Sequence, residues 1–63
     1  MWIKTRENCY INMDRVSSIW YEPALDRTCC QMDKYNRYAI CNGNHLEEII
    51  RNIIDGINYM EVQ

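Results

Sequence analysis

Apolar and polar positions alternate along the first third of the chain. Met1, Ile3 and Thr5 fall on one side and Trp2, Lys4 and Arg6 on the other, the period-two pattern of a β-strand. Arg6-Glu7-Asn8 reads as a turn. Cys9 to Met13 then alternates again, with Cys9, Ile11 and Met13 opposite Tyr10 and Asn12, so the first two strands are expected to form a hairpin. The pattern pauses at Asp14-Arg15, and Val16 to Glu22 reads as a third strand, either separate from the second or continuous with it through a bend. Glu22-Pro23-Ala24-Leu25-Asp26 interrupts the ladder, because Pro has no backbone N–H and Asp favours turns. Arg27 to Asp33 resumes strand character, Lys34-Tyr35-Asn36 turns, and Arg37 to Cys41 closes a second hairpin. Asn42-Gly43 ends the β region, since both residues tolerate positive φ.

The period then changes. Leu46, Ile49, Ile50, Ile53, Ile54, Ile57 and Met60 recur at steps of three and four, which predicts an amphipathic helix of about 16 residues. Asn44 is placed to accept from the first-turn amides, with Glu47 three positions on as the second half of a capping box. Glu47, Glu48, Arg51, Asn52, Asp55 and Asn58 form the solvated face, with Glu47 and Arg51 an i,i+4 pair. Gly56, unfavourable inside a helix by about 1 kcal/mol, reads as fraying the last turn in preference to admitting another backbone. Strands first and a helix last give an α+β class: one domain over residues 1–63, a small antiparallel sheet of four to five strands packed against one C-terminal amphipathic helix.

Length changes what that fold has to achieve. A chain of 63 residues has one core and buries only about 60 % of its unfolded surface, so a disulfide, a metal or self-association is the usual supplement. Four cysteines would suggest disulfides in an exported protein, but the N-terminal stretch lacks a signal peptide's apolar core, so reduced thiols and a cytoplasmic location are expected. Apolar runs are only a few residues long, far short of a membrane span. Cys9, Cys29, Cys30, Cys41 and His45 could supply zinc ligands in number, yet Cys29 and Cys30 are adjacent in a strand and point to opposite faces, so no metal and no cofactor are expected. The thiols read as small buried hydrophobes.

Catalysis finds little support. The Asn42-Gly43 turn would allow Cys41 and His45 to approach each other, but no oxyanion donors can be argued to accompany them, and Glu47 and Glu48 are adjacent on a solvated face with no cleft to split their pKa values. No catalytic residue is expected. The net charge of −2 is dispersed along the chain, which argues against direct nucleic-acid binding.

Aromatic placement points instead to a partner. Trp2, Tyr10 and Trp20 alternate out of phase with Ile3, Ile11 and Ile19, and one helix cannot cover both faces of a four- to five-stranded sheet. Trp2, Tyr10, Trp20 and Tyr38, together with the acidic helix residues Glu47, Glu48 and Asp55, are therefore the expected partner-binding positions. The expected partner is a protein or nucleoprotein, with a homodimer shielding the spare aromatic face. A purely structural homodimeric subunit and a weak RNA-binding module, its bases stacked on the sheet aromatics, are the alternatives.

Trp2-Ile3-Lys4-Thr5, followed by Tyr10-Ile11-Asn12 and Asp14-x-Val16-x-x-Ile19, resembles short, mostly uncharacterised proteins of Gram-positive bacteria and their phages and mobile elements, which similarly end in an Ile/Leu-rich helix. Compact acidic proteins of that kind include stoichiometric inhibitors of host defence nucleases such as anti-CRISPR proteins. The resemblance implies a binder without chemistry of its own and carries over no catalytic residue. The Cys29-Cys30 and Trp20-Tyr21 pairs depart from the pattern.

Overall fold

Ile3 and Ile11 stand opposite each other on neighbouring antiparallel strands, and both are buried. Around them the computed structural model, which describes residues 1–62, assembles six short strands and one helix. Strands β1 (Trp2–Lys4) and β2 (Tyr10–Asn12) form the first hairpin. Its loop is fixed by Thr5, whose Oγ1 accepts from the Glu7 and Cys9 amides at 3.3 and 3.2 Å, while Asn8 takes positive φ. Asn tolerates that conformation better than most residues.

A single 3₁₀ turn, Met13–Arg15, then carries the chain out of the first sheet. Strands β3 (Ser18–Glu22), β4 (Arg27–Gln31) and β5 (Arg37–Asn42) follow as an antiparallel meander. Asp26, at positive φ, closes the β3–β4 turn, and its carboxylate accepts from the Tyr21 hydroxyl at 2.7 Å. Helix α1 (Leu46–Ile54) precedes a last strand, β6 (Tyr59–Glu61), which pairs parallel to β1.

The α+β class stands, but the single sheet does not. The strands form two three-stranded sheets, ordered β2-β1-β6 and β3-β4-β5. β1 is paired on both sides, so β3 has no edge of that strand to join, and the 3₁₀ turn redirects the chain into a separate ladder. The sheets then share a core. Ile3, Ile11 and Met60 from one meet Cys30, Ile40 and Cys41 from the other, with Met13, Ile49 and Val62 completing the cluster. Each fully buried isoleucine, Ile3, Ile40 and Ile49, contributes roughly 1.5–3 kcal/mol through removal from water.

The helix is also shorter than its periodicity predicts, nine residues in place of about 16. Gly56 does not fray it; it ends it. At φ 73° Gly56 donates its N–H to Ile53 O at 3.2 Å while Ile57 N–H reaches Asn52 O at 3.0 Å, the paired bonds of a Schellman cap. Beyond that cap the chain is extended, and Met60 and Val62 turn inward on alternate positions of a strand end. At the other end, Asn44 Oδ1 accepts from the Leu46 amide at 3.2 Å, and His45, not Asn44, flanks the first turn. Glu47 makes no ion pair with Arg51; the side-chain contact in the first turn is instead between His45 Nδ1 and Glu48 Oε2, 3.1 Å apart. Among the described residues no helix is long and apolar enough to cross a membrane.

Candidate functional site

Strand alternation decides which side chains the first sheet shows to solvent. With Ile3, Ile11 and Met60 inward, Trp2 and Tyr10 must point outward, and they are 49 % and 58 % exposed. Tyr38, on β5, is 44 % exposed. These three rings border one cleft of about 720 Å³, the size of a small-ligand site.

Arginine supplies the charge of that cleft. Arg6 leaves the end of β1, Arg15 closes the 3₁₀ turn, Arg27 begins β4 and Arg37 begins β5, and all four line it. They are four of the chain's five arginines, whereas only one of its nine carboxylates, Glu7, shares the cavity. Arg6 is held in place, donating to Asn42 Oδ1 across the two sheets, and its other terminal nitrogen lies 3.9 Å from Glu7 Oε1. Arg37 lies over the Trp20 ring, its guanidinium carbon 5.8 Å from the ring centroid, within cation–π range. Among the described residues, no carboxylate lies within 4 Å of Arg15, Arg27 or Arg37.

The anticipated partner-binding residues divide. Trp2, Tyr10 and Tyr38 come together at the cleft, and Trp20 supports it from β3 through Arg37. Glu47, Glu48 and Asp55 do not line it; Glu47 and Glu48 lie in the first turn of α1 and Asp55 follows its last residue. The four arginines were not anticipated. They stand 9, 12 and 10 positions apart and make no basic run. The one trace in the sequence is that each borders a strand or its turn.

Two of the four thiols are the small buried hydrophobes the sequence suggests, whereas Cys9 is exposed and Cys29 half-buried, because Cys9 lies in the β1–β2 loop ahead of the inward-facing Ile11. All four are free; Cys30 and Cys41 are buried and Cys9 is exposed at the cleft wall. Burial pushes the Cys30 thiol up to about 11 and raises that of Cys41 as well, the opposite of an activated nucleophile. No group of three or more His, Cys, Asp or Glu side chains among the described residues gathers closely enough to hold a metal ion. Asp33 shapes the β4–β5 turn beside the cleft. Its carboxylate accepts from the Tyr35 and Asn36 amides at 2.8 and 3.0 Å, and these bonds hold its pKa below the usual carboxylate value.

Comparison with protein-family models, with curated proteins and with solved structures returns no match to this chain.

Proposed function

We propose that this chain is a small non-catalytic interaction module, and that it engages an anionic partner through the arginine and aromatic cleft. The convergence of Arg6, Arg15, Arg27 and Arg37 on Trp2, Tyr10 and Tyr38 carries the reading. Guanidinium groups and exposed aromatics are the side chains most enriched where interfaces gain their binding energy. Burial of Cys30 and Cys41 in the shared core withholds those two thiols from nucleophilic chemistry. A protein or nucleoprotein target, as for inhibitors made by mobile elements, suits a surface of this kind.

Affinity capture separates the surfaces. The wild-type chain and two variants, Arg15→Ala/Arg37→Ala in the cleft and Glu47→Gln/Asp55→Asn on the helix, are offered the same cell extract with and without nuclease treatment. The cleft variant should lose partners that the helix variant retains. Capture indifferent to the cleft variant and abolished by the helix variant would refute the assigned surface.

A second reading, a homodimer, rests on the helix. Ile50, Ile53 and Ile54 follow one another at helical spacing and remain exposed, Ile54 by 74 %, and exposed Ile57 extends the patch past the cap. Ile53→Glu should convert a dimer to a monomer in light scattering; a wild-type chain already monomeric at high concentration removes this reading.

A further inference from the structure

The cleft carries two kinds of recognition chemistry, positive charge and exposed rings. An acidic peptide would use the first and leave the second idle. Single-stranded nucleic acid uses both, because phosphates repeat along its backbone and every base offers a π-face for stacking. Three rings can serve two or three bases, and among the described residues Arg15, Arg27 and Arg37 have no carboxylate within ion-pairing distance to displace before they meet a phosphate.

Charge elsewhere adds direction. The chain is acidic as a whole, yet eight of its nine carboxylates lie outside the cleft lining. A polyanion is repelled by the rest of the surface and drawn to this one face, which favours a bound segment over diffuse coating. Arg37, lying over Trp20, is positioned before the ligand arrives and loses less freedom on binding than an unconstrained side chain would.

We infer that the cleft binds a segment of single-stranded nucleic acid, with Arg15, Arg27 and Arg37 on the phosphates and Trp2, Tyr10 and Tyr38 against the bases. This rests on the reading of the cleft as the binding face and names its ligand class.

The test is fluorescence anisotropy with labelled 12-nucleotide single strands, one of uridine RNA and one of thymidine DNA, and with a 12-residue Glu-rich peptide as the competing chemistry. Saturable binding of at least one strand at 50 mM salt is expected. With three phosphates neutralised, log Kd should change with log salt at a slope of about 2, roughly a 20-fold weakening between 50 and 200 mM. Arg15→Ala should lower that slope, and Tyr10→Ala should weaken binding roughly 5- to 150-fold while leaving the slope unchanged. A difference between the two strands assigns the sugar preference within the same inference.

Both substituted residues are exposed, and far-UV circular dichroism verifies that each variant folds. Should either unfold, the wild-type salt series and peptide comparison decide the matter. Peptide binding without strand binding overturns the nucleic-acid assignment and leaves the cleft as an anion site. Strand binding that neither salt nor the variants affect also overturns it. If neither ligand binds and capture is indifferent to the cleft variant, the functional reading falls as well.

Discussion

Thr28 joins the second sheet to the start of the helix. Its hydroxyl donates to Gly43 O at 2.7 Å and accepts from the His45 amide at 3.0 Å, and its side chain is fully buried. One side chain thereby satisfies a carbonyl and an amide in the connection between β5 and α1.

Thr28→Val keeps the shape and removes both bonds. The two backbone groups lose their partner in a half-buried setting, a loss of about 1–3 kcal/mol. Thr28→Ser retains the hydroxyl and loses only a methyl, roughly 1 kcal/mol. For a domain whose total stability is of order 3–9 kcal/mol, urea denaturation resolves the difference. If Val is tolerated as well as Ser, the hydroxyl does not hold this connection.

Gly56 gives a test of helix termination free of steric confusion. A Cβ built there meets nothing within 4 Å, so any effect of Gly56→Ala comes from the backbone at φ 73°. Ala should lower stability by about 1 kcal/mol, and Asn, which accepts the left-handed conformation more readily, by less. Equal loss for the two would argue against strain as the cause.

The cysteines should separate by reactivity. Under native conditions and neutral pH, alkylation followed by peptide mass spectrometry should label exposed Cys9 first, with Cys30 and Cys41 protected until the chain unfolds. The linkage has a definite sign. Cys30 ionises near 11 when folded, above its ordinary value of 9.0, because burial disfavours the thiolate. Its contribution to stability is complete below about pH 9 and declines as pH rises through 11. Early labelling of Cys30 would contradict the packing of the shared core.

Asp33 should respond at the acid end. Its pKa is held down by the Tyr35 amide, then by the Asn36 side chain and the Asn36 amide, so the turn's hydrogen bonds persist above the ordinary carboxylate pKa and are lost as pH falls through the depressed value. An NMR titration of the Asp33 carboxyl should give a midpoint below 3.8, and Asn36→Ala should move it upward. An unmoved midpoint would remove the Asn36 side chain from the account.

Much of this fold is legible in the chain because it depends on neighbours in sequence. The two hairpins, the turns at Arg6-Glu7-Asn8 and Lys34-Tyr35-Asn36, and the inward set Ile3, Ile11 and Ile49 follow from periodicity and turn chemistry alone. So does the outward placement of Trp2 and Tyr10, since each is flanked by an inward isoleucine. The C-terminal end of the helix is ambiguous in the sequence because Ile57 and Met60 satisfy a step of three as well as Met60 and Val62 satisfy a step of two. The Gly56 cap resolves that ambiguity.

Tertiary structure alone decided the rest. Which strand edge meets which is a long-range matter, and the parallel pairing of β6 with β1 joins residues 57 positions apart, completing one sheet and excluding β3 from it. The cleft has the same origin. Arg6, Arg15, Arg27 and Arg37 are dispersed in sequence, and only the apposition of the two sheets gathers them into one positive surface on an acidic protein. Local pattern fixes the direction in which a side chain points; the neighbours it meets there are set by the packing of the whole chain.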